Sequence, residues 1–320
     1  MTEVNVLGVA GGTAKSDFLD IAKPEERSLR RLAVILLLSA PAVLVVVPIC
    51  MFLIAHLWGR SFSDIAQMAK AGGAGARNLL SYGFELSVAG VASIAVALIW
   101  LLIASRVQRR APLSFLTAAP RLRTGQFLGG LAAGGVLVGF AVAVERFLSA
   151  DHTVAPILTP GAAIDERAGY ALMAAGFLFL AAAAEEILFR GWMIQQVGVW
   201  TRNVAVMLAV NGVVFSFVHF DPDISGFLIR CLMGAGWAWI AIRTGGIEFT
   251  TGAHLANNLL VSLFVAPVSF APQPSHGVDY ASIAVEGAII LLLVAVVEAH
   301  LRRKPADDSL GAGRELPLRR

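Results

Sequence analysis

Residues 168–198 read AGYALMAAGFLFLAAAAEEILFRGWMIQQVG. From Ala168 to Ala184 there is no charged side chain, and then Glu185, Glu186 and Arg190 fall within six residues before the apolar character resumes. About 20 apolar residues suffice to cross a bilayer as a helix. This run is longer, and its charged group sits inside it. A charge near the bilayer centre costs several kcal/mol unless it is paired or wetted. The stretch therefore reads as a membrane helix whose charged part faces the interior of a helical bundle, and it sets the fold class: all-α, a polytopic transmembrane bundle.

The rest of the chain agrees with that reading. Of its 320 residues 57% are hydrophobic and only 15% charged, with a mean hydropathy of +0.74. A soluble domain has no core large enough for so much apolar surface, whereas a bilayer accepts it. About eight apolar runs are long enough to be membrane helices: 32–58, 82–105, 126–149, 168–198, 203–220, 225–243, 246–266 and 281–301. The fifth is short and polar for a lipid-facing span, as an inner helix of a bundle can be. The organisation expected is a disordered cytoplasmic segment at 1–31, three helices with loops over 32–164, a catalytic core of helices 4–7 over 165–266, an outer loop and last helix over 267–303, and a disordered cytoplasmic tail at 304–320.

With the amino terminus inside, the inner segments hold 19 Lys and Arg and the outer loops 5. That asymmetry orients both termini to the cytoplasm, and the Ala- and Arg-rich composition without a cleavable signal fits a bacterial inner membrane protein. The basic runs at 106–123 and 302–304 read as topology signals and headgroup contacts, not as nucleic-acid sites. Cys50 and Cys231 are too few for a disulfide framework. Gly130 and Gly134 form a small-residue helix-packing face.

Polar residues inside the apolar runs concentrate between 185 and 258. Glu186 and Arg190 are four apart, share a helix face and pair in the favourable order. Glu185 is turned about 100° from Glu186, has no partner in its own helix and is available as a general base. Asn211, Phe215 and His219 follow on the fifth run. Glu185 and His219 each lie about 17 residues from the turn near Trp200–Asn203, so in an antiparallel pair both stand roughly 25 Å from it and can face each other. His254 and Asn258 share a face of the seventh run and can donate to one oxygen. Glu185 with His219 would polarise a water for attack on a peptide carbonyl, and His254 with Asn258 would stabilise the oxyanion. Glu186, Arg190 and Phe215 would support them. Glu185, His219 and His254 are also a plausible ligand set for a divalent metal such as zinc, so metal-bound and metal-free mechanisms both stay open.

The three motifs Glu185-Glu186-Ile-Leu-Phe-Arg190, Phe215-Ser-Phe-Val-His219 and His254-Leu-Ala-Asn-Asn258, in this order on successive helices, resemble the CAAX protease and bacteriocin-processing family, the type II CAAX prenyl endopeptidase or Abi group. The resemblance covers roughly 165–265. It implies an eight-helix intramembrane endopeptidase, either metalloprotease or glutamate-dependent, with Glu185 and His219 activating water and His254 and Asn258 at the oxyanion. It also implies a peptide or protein substrate, prenylated or bacteriocin-like, to be processed or resisted. Two other classes fit the composition. One is a non-catalytic scaffold or immunity protein that keeps the fold. The other is a transporter using Arg230, Glu286 and the histidines, against which stands the lack of inverted repeats.

Overall fold

The computed structural model describes residues 17–61, 63–64, 78–148, 154–219, 223–268 and 278–303. Among these residues the chain is helical, with no strand beyond a single bridge between Thr117 and Gly246. Eight helices carry the fold: α1 Leu29–Leu57, α2 Leu79–Gln108, α3 Thr124–Leu148, α4 Ile164–Gly198, α5 Val204–Phe217, α6 Ile224–Thr244, α7 Glu248–Phe264 and α8 Tyr280–Arg303. Six of them are long and apolar enough to cross a membrane. The eight runs expected from the sequence thus appear as eight helices, but not as eight full crossings. At 1.5 Å per residue, the 14-residue α5 and the 17-residue α7 span only about 21 and 26 Å, short of the roughly 30 Å hydrocarbon core. α7 can be short because other helices shield it: Glu248 through Ala256 are buried without a break.

Local signals account for the boundaries. Asn78, Asn203 and Asp223 each accept a backbone N–H from three residues on, at the starts of α2, α5 and α6. Gly245 ends α6 in the left-handed region, at φ 75°, where glycine carries no Cβ penalty.

Small residues bring the inner helices into backbone contact. A Cβ on Gly130 would stand 1.9 Å from the Phe249 carbonyl oxygen and one on Gly134 2.9 Å from Ala253 Cα, so the face expected from sequence packs α3 onto α7. Gly212 of α5 approaches the Cys231 carbonyl of α6 in the same way, at 2.5 Å from its would-be Cβ. This fixes α5 against α6 and, with it, every side chain α5 presents to α4.

The expected disorder of 1–31 does not hold over 17–31. Phe18 is fully buried, with Leu19 and Ala22, in the cluster that contains Ile194 and Met207. Glu26 meets Arg110 at 3.0 Å, both side chains about 95% buried. Arg110 also donates to the carbonyl of Ser114, at 3.1 Å, and to the side chain of Gln195. Gln196 accepts from Gln108 at 2.5 Å and donates to the Glu26 carbonyl at 3.4 Å. Burial pulls the Arg110 guanidinium below its ordinary range, and Glu26 beside it opposes that shift. The physical reason for the order is this polar network, which composition does not display. Residues 1–16 and the tail at 304–320 lie outside the described residues.

Removing one partner of a buried ion pair leaves the other uncompensated. Arg110→Ala is therefore expected to lower stability by about 3–5 kcal/mol, read as the unfolding midpoint of the purified protein in detergent.

Candidate active site

Helix α4 is α-helical over Ile164–Glu185, π-helical over Glu186–Met193 and α-helical again over Ile194–Gly198. The wider turn begins directly after Glu185. Such segments are rare and occur often at functional sites. Here it turns Glu186 and Arg190 fully inward. Neither has any exposed side-chain surface, and Arg190 Nη1 lies 3.1 Å from Glu186 Oε1. The contact is off the line a hydrogen bond needs, and the guanidinium is otherwise enclosed by rings: its carbon is 4.2 Å from the Phe215 centroid, 5.2 Å from Trp237 and 5.9 Å from Phe189. Cation–π attraction in a desolvated cage replaces part of its lost hydration.

Glu185 faces the other way. Its side chain keeps 26% exposure, its Oε2 is 3.8 Å from His219 Nε2 and 3.6 Å from His254 Nε2, and that oxygen has no hydrogen-bond partner among the described residues. Both separations are too long for direct hydrogen bonds. Three polar atoms from α4, the end of α5 and α7 thus surround one small volume.

Each imidazole is oriented from its far side. His219 lies just past the end of α5 with its Nδ1 2.7 Å from the Phe215 carbonyl oxygen. A carbonyl only accepts, so Nδ1 carries the proton, and the neutral ring presents the Nε2 lone pair toward Glu185. His254 is 97% buried, with its Nδ1 3.0 Å from Glu186 Oε1. That carboxylate accepts the Nδ1 proton and aims Nε2 at Glu185. Trp237 lies over the His254 ring at 4.2 Å, and Phe215 touches both imidazoles, at 4.7 and 6.4 Å between centroids.

The structure therefore brings together Glu185, Glu186, Arg190, Phe215, His219 and His254. Asn258 is half-buried one turn beyond His254, and its Oδ1 accepts from Asn257 Nδ2 at 3.2 Å. This leaves the Nδ2 of Asn258 as the end available to a substrate. Two residues that contribute to the site were given no part in its chemistry from sequence. Trp237 reads as packing, yet it precedes the Gly245 turn by eight residues and His254 follows it by nine, the same equal-height relation that pairs Glu185 with His219. Asn211 donates from Nδ2 to the Phe189 carbonyl at 2.8 Å, inside the π-helical segment.

Two imidazole Nε2 atoms and a carboxylate are chemically suited to zinc. Ligands 2.0–2.1 Å from a tetrahedral ion stand about 3.3–3.4 Å apart, closer than the 3.6 and 3.8 Å found here. Among the described residues no group of three or more His, Cys, Asp or Glu is arranged to hold a metal ion. As arranged, the three side chains stand wider than a bound zinc would draw them and do not form a metal cage.

A family model described as Type II CAAX prenyl endopeptidase Rce1-like matches residues 167–260. Over 89 residues the chain is 33% identical to the uncharacterized protein YyaK of Bacillus subtilis (strain 168), an alignment covering 26% of this chain and 30% of that protein. The chain thus spans less than a third of the curated relative it matches. No solved structure matches it. The matched stretch holds all three sequence motifs and every side chain of the site, so this integral membrane protein, with its six long apolar helices, is similar over residues 167–260 to the type II CAAX prenyl endopeptidase Rce1-like proteins.

Proposed function

We propose that the protein is an intramembrane endopeptidase that hydrolyses a peptide bond at Glu185 without a metal. The observation that carries the reading is the convergence of Glu185 Oε2 with both Nε2 atoms while that oxygen lacks a hydrogen-bond partner. A water between Glu185 and His219 meets two acceptors. It loses one proton to the Glu185 carboxylate, and the resulting hydroxide attacks the substrate carbonyl. The oxyanion is met by donors from α7. For His254 to donate through Nε2 its ring must carry both protons, and Glu186 at Nδ1 is the counter-charge such an imidazolium needs. Asn258 Nδ2 is the second donor. Glu185 then returns its proton to the leaving amine.

The substrate we infer is a peptide or protein with an apolar or lipid-modified segment near the scissile bond, of the prenylated or bacteriocin-like kind. A cavity of about 420 Å³ supports this. It lies between α1, α2 and α4, is lined by Val47, Met51, Val88, Val96 and Leu188, and has Glu185 on its wall. From the charge asymmetry of the loops we infer that both termini lie in the cytoplasm, and from the composition that the membrane is a bacterial inner one.

The test is cleavage of a panel of prenylated tails and bacteriocin-like leader peptides by the purified protein in detergent, with and without a chelator. Cleavage is expected, and at the same rate in both arms. Loss of cleavage with the chelator, restored by added zinc, would overturn the metal-free assignment. Wild-type protein that cleaves no member of the panel, yet protects cells from a bacteriocin, would favour a non-catalytic immunity protein.

A further inference from the structure

The π-helical segment Glu186–Met193 poses a problem of register. In a regular α-helix the Phe189 carbonyl would accept from Met193 N–H. Instead it accepts from Ile194 N–H, the wider bond. A carbonyl oxygen has two acceptor positions, and the second is taken by Asn211 Nδ2 at 2.8 Å. Asn211 is 1% exposed, and its own Oδ1 is buried with no hydrogen-bond partner among the described residues. An unsatisfied buried amide oxygen is a cost that an apolar side chain of the same size avoids, so packing alone does not account for an asparagine here. The opposite amide orientation would set two oxygens against each other, so Nδ2 is the donor.

Asn211 cannot drift. The next residue, Gly212, is pressed against the Cys231 carbonyl of α6. Along the same stripe of α5, Phe215 meets Arg190 and His219 meets Glu185. Below the π turn, Gln195 and Gln196 are held by the buried network of Arg110, Gln108 and Glu26. On its other side, Gly191 stands where a Cβ would come within 2.8 Å of the Phe115 carbonyl.

We propose that Asn211 is a positioning residue that holds the π register of α4 and thereby aims Glu185 at His219 and His254. The proposal deepens the peptidase reading and rests on it for the choice of Glu185. One helical position is about 100°. With the cytoplasmic flank of α4 clamped at Gln195 and Gln196, a return to α register turns the Glu185 flank and carries its carboxylate off the histidines.

The experiment separates geometry from activity. In the full-length protein carrying Cys50→Ala and Cys231→Ala, Glu185→Cys and His219→Cys are joined by a short bifunctional thiol reagent. The cross-link is expected with Asn211 in place and lost with Asn211→Leu, the melting temperature in detergent staying near that of the parent. Asn211→Asp, which keeps the shape but cannot donate, is the second variant and should lose the cross-link too. In the enzyme with native Glu185 and His219, either change at Asn211 should lower kcat by about 10²-fold, the cost of an ångström-scale misplacement, and leave KM unchanged. A cross-link that forms as fast in both variants as in the parent overturns the proposal, whatever the peptidase assay shows. Failure of both variants to fold overturns it as well, because the amide would then hold the bundle and not the register. A protein that cleaves no peptide but loses the cross-link in the variants would sink the peptidase reading and keep the positioning one.

Discussion

Glu185→Gln will abolish peptide cleavage while the melting temperature stays within a few degrees of wild type. The rate should fall by roughly 10²- to 10⁴-fold, the span expected for a lost general base. The amide matches the carboxylate in shape but cannot take a proton from water. Stability should hardly change, because Glu185 makes no hydrogen bond through Oε2 and retains 26% of its side-chain surface. Thermal unfolding and initial cleavage rates on one preparation check both halves. Equal cleavage by wild type and variant would remove Glu185 from the mechanism.

The adjacent glutamate should behave in the opposite way. Glu186→Gln will destabilise the fold by about 3–5 kcal/mol, because it leaves the Arg190 cation buried without its counter-charge. Arg190 has no exposed surface, and the rings of Phe215 and Trp237 offset only part of its desolvation. His254 Nδ1 loses its charged partner in the same variant, so cleavage falls as well, but the signature is a lowered unfolding midpoint. Glu186→Gln combined with Arg190→Met, which removes both charges, should recover much of that midpoint, as replacing whole buried ion pairs by apolar side chains often does, and should not recover cleavage. Two neighbouring carboxylates thus separate cleanly, one by rate and one by stability.

That separation follows from the π-helical turn. The sequence alone indicates that Glu185 and Glu186 point in different directions, because adjacent helical residues are about 100° apart. It also pairs Glu186 with Arg190 by their i, i+4 spacing. It does not show that His254 lies between the two glutamates, with Nδ1 on one and Nε2 toward the other. This bridge depends on how α7 docks on α3 and α4. That docking is decided by Gly130 and Gly134 meeting the backbone of α7, a contact between residues more than a hundred positions apart.

The N-terminal segment shows the same division. Residues 17–28 have the polar, charged composition of a chain without fixed structure. Phe18 is nevertheless buried in the cluster that holds Ile194 and Met207, and Glu26 is buried because Arg110 and Gln196 provide partners from two other segments. Composition records what a segment can bury by itself. It carries no information on the partners that a distant loop will supply.

What the sequence determined by itself is therefore local or periodic: the helical class, the eight apolar runs, the three motifs, the Glu186–Arg190 face and the equal heights of Glu185 and His219 across one short turn. These follow from hydropathy, the 3.6-residue period and the 1.5 Å rise. Only the tertiary structure decided that α7 stops short of a full crossing, that α4 widens after Glu185, that Asn211 meets the Phe189 carbonyl and that His254 stands between Glu185 and Glu186. Each of these rests on packing between helices far apart in the chain, where a few ångströms of approach or one helical position of rotation sets the outcome, and no spacing within a single segment encodes either quantity.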